Sequence, residues 1–76
     1  MLGSENPYTA TSYNNIGLVY SDKGEYDKAL EFYIKALEIE EKVLGPEHPY
    51  TATSYYNIGG VYWEKGEYDK ALEFYR

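Results

Sequence analysis

Cysteine is absent from the 76 residues, which removes disulfides, thiolate nucleophiles and thiolate metal sites together. Histidine occurs once, as His48 between Glu47 and Pro49 in a turn, a poor basis for a general base or a metal centre. No apolar run approaches the ~18 residues of a membrane-spanning helix, and Met1, Leu2, Gly3 and Ser4 lead with no basic or hydrophobic signal region. Basic side chains are scarce: 7 Lys and Arg face 13 Asp and Glu, and a formal charge of −6 leaves no basic stripe for nucleic acid. These absences predict a soluble, cytoplasmic chain that takes neither nucleic acid nor membrane. Enzyme motifs fail in the same way. Ser4, Ser12, Ser21 and Ser54 have no base nearby in sequence, and Glu38, Glu40 and Glu41 read as the solvated face of a helix. Gly59 and Gly60 fall inside a helical pattern and follow no strand, so they form no phosphate loop. The expectation is no catalysis, no cofactor and no metal.

What the chain has in quantity is tyrosine, 11 residues, and a sequence that repeats itself. Tyr8, Gly17 and Ala29 return as Tyr50, Gly59 and Ala71, each 42 positions later, and Leu2, Gly3 and Glu5 match Leu44, Gly45 and Glu47. A period of this size signals a solenoid or array. Each unit reads as two helices. Asn6 before Pro7 is a cap followed by a proline where its missing N–H costs nothing, and His48 before Pro49 repeats the arrangement with a poorer capping residue. Tyr13, Gly17 and Tyr20, flanked by Ala10 and Ile16, form the core stripe of the first helix. Gly24 supplies a left-handed stop. The second helix starts near Tyr26, with Ala29, Leu30, Tyr33, Ala36 and Leu37 as its apolar stripe and with Glu31–Lys35 and Glu38–Lys42 pairs at i, i+4. Gly45 and Pro46 end it, and no segment reads as a strand. Gly17 and Gly59 each cost roughly 1 kcal/mol in a helix interior, so close helix approach against Ala29, Ala36 and Ala71 must compensate, with Tyr20, Tyr33, Tyr62 and Tyr75 filling the space around them.

These positions resemble the tetratricopeptide repeat, whose signature runs W-x2-L-G-x2-Y, A-x3-F, P. Tyr13 stands for the tryptophan, followed by Ile16, Gly17, Tyr20, Ala29 and Tyr33; the second copy gives Tyr55, Ile58, Gly59, Tyr62, Ala71 and Tyr75. The unit is longer than the usual 34 residues, and the closing proline is replaced by helix continuing through Glu41. In this it is similar to the long repeats of kinesin light chains and of many bacterial and fungal repeat proteins. The resemblance implies an all-α fold of four helices, antiparallel helix-turn-helix units stacked as a right-handed solenoid. The expected organisation is a single array: a lead-in over 1–6, a first helix pair over 7–45 and a second over 46–76 with its last helix cut short. It also implies a non-enzymatic scaffold that binds protein or peptide in a concave groove lined by the first helix of each pair.

Between residues 7–34 and 49–76 only five positions differ: Asn14/Tyr56, Leu18/Gly60, Ser21/Trp63, Asp22/Glu64 and Ile34/Arg76. At about 100° per residue the first four pairs share a face distinct from that of Tyr13, Gly17 and Tyr20. Packing positions of matched repeats tolerate little change, whereas a solvent groove imposes no such demand. The predicted groove therefore comprises Thr11, Asn14, Asn15, Leu18, Ser21 and Asp22 with Thr53, Tyr56, Asn57, Gly60, Trp63 and Glu64. Exposed Trp63 is a natural anchor, and Asn15 and Asn57, constant between copies, can bond a peptide backbone. The groove has no Lys or Arg for an acidic peptide terminus; Asp22, Glu64, Tyr56 and Trp63 suit a basic or apolar segment, a cation over the indole included. Arrays usually need three units and polar caps, so an isolated monomer is expected to be marginal and copies of the chain to associate. Near-perfect copying and an abrupt end also suggest an excised or engineered fragment.

Overall fold

The structure, a computed structural model, describes residues 6–75. The register matches at Leu2, Gly3 and Glu5, and the Ile34/Arg76 difference, fall on residues outside that range. Four helices follow in order: α1 (Pro7–Asp22), α2 (Tyr26–Val43), α3 (Pro49–Glu64) and α4 (Tyr68–Tyr75), with no strand among the described residues. Each helix packs on the next in sequence, α1 on α2, α2 on α3 and α3 on α4. Those contacts make a flat, elongated body of 40 × 26 × 13 Å.

Local chemistry sets the ends of the helices. The Asn6 side chain accepts from the Tyr8 N–H at 2.8 Å. His48 does the same for Tyr50 through Nδ1 at 3.1 Å, so the residue expected to cap poorly carries the bond that asparagine carries in the first unit. Gly24 and Gly66 take φ of 80° and 83°. The N–H of the residue after each glycine reaches back five positions, Glu25 to Tyr20 and Glu67 to Tyr62, both at 2.8 Å. That closure needs a left-handed residue, which only glycine adopts without strain. Gly45, at φ 94°, ends α2.

Packing within each pair depends on the helical glycines. A Cβ built on Gly17 would meet Tyr33 Cδ1 at 2.7 Å and the Ala29 carbonyl at 3.2 Å; at Gly59 the partners are Tyr75 and Ala71 at the same distances. The expected glycine and alanine notches are present, with tyrosine rings seated in them. Phe32, absent from the predicted stripe, lies parallel to Tyr20 with centroids 5.7 Å apart and is tilted against Tyr13 at 5.9 Å. Phe74 repeats this with Tyr62 and Tyr55.

Between pairs, Leu30, Tyr33 and Leu37 of α2 form one buried cluster with Ile58 and Val61 of α3. Full burial of side chains of this size stabilises by about 1.5–3 kcal/mol each. Ala10, Ala36 and Ile39 make a second cluster under Tyr13. Ile16 departs from expectation: it is exposed, while its counterpart Ile58 is fully buried. The physical reason is the neighbour. Ile58 faces α2, and no described helix lies against the matching side of α1.

Candidate functional site

The predicted groove residues fall into four sets. Thr11, Asn14 and Thr53 line one hollow together with Pro7, Tyr8, Glu40 and Tyr50, a space of about 690 Å³ between α1 and α3. Tyr56 leans on Tyr75, centroids 5.1 Å apart, and lines a separate recess with Pro46, Ala52, Tyr55, Glu73, Phe74 and Tyr75. Trp63 is half exposed and stands edge-on to Tyr68 at 4.6 Å, beside the α3–α4 turn. Of the remainder, Asn15, Leu18, Asp22 and Glu64 are exposed, and Ser21, Asn57 and Gly60 are half-buried. None of these seven lines the α1/α3 hollow.

The floor of that hollow is polar and organised. Glu40 is only 3 % exposed, so the reading of the Glu38–Glu41 run as solvated surface holds for Glu38 and fails for Glu40. Its carboxylate accepts a hydrogen bond from Ser54 Oγ, the base proximity that sequence separation concealed. Ser54 in turn accepts from Asn14 Nδ2 at 3.2 Å, which ties α1, α2 and α3 through three side chains. Asn14 Oδ1 is buried and has no donor among the described residues. Burial raises the Glu40 pKa above the usual carboxylate range, and the Ser54 hydrogen bond and nearby His48 pull against that rise. A serine–carboxylate pair suggests nucleophilic chemistry, but Ser54 is buried with its hydroxyl engaged by both Glu40 and Asn14. The arrangement holds three helices in register.

Two neighbouring contacts reinforce the junction. Tyr55 donates to Glu41, and that bond, with a smaller contribution from burial, raises the phenol pKa. Lys65 of the α3 end reaches back to Asp27 of α2 at 2.9 Å and to Glu67 at 3.3 Å. Asp27 first, then Glu67, raises the Lys65 pKa. The walls of the hollow are less constrained. Thr11 and Thr53 give their hydroxyl protons to the carbonyls of Pro7 and Pro49, and Tyr8 and Tyr50 stand exposed at its rim.

The family model described as tetratricopeptide repeat matches residues 3–76. The chain belongs to the tetratricopeptide repeat family. Comparison with curated proteins gave no match. Tetratricopeptide repeats are protein-interaction scaffolds rather than enzymes, and among the described residues no helix is long and apolar enough to cross a membrane. In these tetratricopeptide repeats, comparison of the two copies could not expose Glu40, because residues 35–42 have no second copy within the chain. Tyr8 and Tyr50 carried a usable signal: both occur at the same place in the repeat, next to a proline, with no core role.

Proposed function

We propose that this chain is a repeat scaffold that associates with further copies of itself, α1 of one copy against α4 of the next. The observation that supports this is unequal burial of equivalent residues. Ile58 is 0 % exposed and Ile16 38 %; Leu30 is 8 % exposed and Leu72 50 %. Val61 and Tyr33 are buried in the α2–α3 junction, while Val19 and Tyr75 are exposed. Both halves of one interior interface thus recur uncovered on opposite sides of the molecule. Pairing them is heterologous, so it extends into open stacks rather than closing as a two-fold dimer. No disulfide is needed, which suits a reducing cytoplasm.

Sedimentation velocity over a concentration series tests the reading. The wild-type chain is expected to grow in mass with concentration, and Ile16→Glu or Leu72→Glu, each exposed in the monomer, to hold it monomeric with its helicity intact. A monomer at every concentration for the wild type sinks the idea.

A second reading is supported by the α1/α3 hollow: the face that carries Thr11, Asn14 and Thr53 takes a segment of a partner protein. In that reading Asn15 and Asn57 remain candidates for backbone contacts, since neither side chain makes a hydrogen bond among the described residues. Asn15→Ala and Asn57→Ala should then weaken capture of the segment and leave self-association unchanged.

A further inference from the structure

We propose that the hollow between α1 and α3 is a receptor for a lysine side chain presented by a partner polypeptide. This rests on the second reading above, that the α1/α3 face takes a polypeptide segment. Lysine is an aliphatic stem ending in three donors and no acceptor. The hollow has the complementary order, apolar at the rim and accepting at the floor. Pro7, Tyr8 and Tyr50 offer ring surfaces to the stem, and the two tyrosine faces favour a cation.

At the floor, the ionised Glu40 carboxylate accepts only, and Asn14 Oδ1 is an acceptor with no donor of its own among the described residues. The hydroxyl protons of Thr11 and Thr53 are committed to their own helices, so they do not compete as donors for the floor. No Lys, Arg or His lines the space. The positive ends of α1 and α3 lie nearby and oppose a cation, but the first free N–H of each is already capped, Tyr8 by Asn6 and Tyr50 by His48. At about 690 Å³ the volume exceeds what one ammonium fills, so the occupant brings its stem and adjoining backbone with it. The formal charge of −6 draws such a segment in from a distance.

The test is an NMR titration of the full isotope-labelled chain with the peptide acetyl-Ala-Ala-Lys-Ala-Ala-amide and with its norleucine analogue, which keeps the stem and removes the ammonium. The lysine peptide is expected to shift the Asn14 side-chain amide and the Thr53 and Ser54 amides, and to bind about tenfold more tightly than the norleucine peptide, a difference of about 1.4 kcal/mol. Glu40→Gln, which keeps an acceptor for Ser54, should abolish that preference. Tyr8→Ala, at an exposed position, should weaken the lysine peptide several-fold with the fold intact. Equal affinity for the two peptides, or a preference that survives Glu40→Gln, overturns the lysine receptor and leaves the groove reading standing. No shift with either peptide overturns both.

Discussion

The Tyr33 ring rests on Gly17 so closely that a Cβ added to the glycine would lie 2.7 Å from Cδ1. Tyr75 rests on Gly59 with the same geometry, but Tyr33 is 3 % exposed and walled in by α3, whereas Tyr75 is 38 % exposed. One seat is rigid and the other can give.

Gly17→Ala and Gly59→Ala should therefore differ although the sequence around them is nearly identical. Alanine gains about 1 kcal/mol of helix propensity at either site. Overpacking costs typically 1–3 kcal/mol where the neighbour cannot move. The expected outcome in urea titrations is a clear loss of stability for Gly17→Ala and a smaller loss or none for Gly59→Ala. Gly60→Ala is the control: only Tyr75 Oη lies near, at 3.8 Å, so stability should rise by about 0.5–1 kcal/mol.

The burial of Glu40 sets a pH dependence with a definite sign. Its folded pKa is raised, so between the unfolded value and the folded one the native state holds more protons than the unfolded state. Its contribution is most favourable below the unfolded value, near pH 4.3, and is lost as pH rises through the folded pKa. Glu40→Gln removes the titration and keeps an acceptor for Ser54. The stability difference between variant and wild type should grow in favour of the variant across that window and level off above it, measured by denaturant titration at a series of pH values.

Capping by His48 gives a third expectation. His48→Ala removes the side-chain acceptor for the Tyr50 N–H and should cost about 0.5–2 kcal/mol. His48→Asn reproduces the Asn6 arrangement and should match or exceed the wild type in thermal melts.

The Lys65–Asp27 bridge spans the α2–α3 junction, and its counterparts 42 positions away are Lys23 and Asp69. If copies stack head to tail, Lys23 of one should meet Asp69 of the next. Lys23→Glu is expected to weaken association up to about fivefold at low salt, as exposed pairs do, and Lys23→Glu with Asp69→Lys to restore it. Unchanged association in the single variant, with growth of wild-type stacks confirmed, would argue for a different register.

Most of the helical frame was legible in the residues. Gly24, Gly45, the proline-led helix starts and the offset of 42 are local features, and they specify helix ends and repeat length without tertiary information. The tyrosine seats were legible for a related reason, since a glycine in a helix interior demands a close neighbour. What escaped was set by neighbours remote in sequence. Glu40 belongs to an acidic run that reads as surface, and only the approach of Ser54 from α3 makes it interior. Ile16 and Ile58 share the same flanking residues, so no local pattern could rank their exposure. His48 was undervalued because imidazoles seldom cap, yet its turn places Nδ1 where an asparagine oxygen would sit. The face that varies between copies was readable as a face, but not its division into a hollow, a recess and a turn contact.

Ile16 and Ile58 also give the molecule a built-in pair of reporters. Their methyl groups have matching sequence surroundings and opposite surroundings in space, one beside water and the other beside Leu30 and Tyr33. Any partner that shields α1 should move the first methyl signal towards the second, so a single spectrum can register the arrival of a neighbouring repeat without a label foreign to the chain.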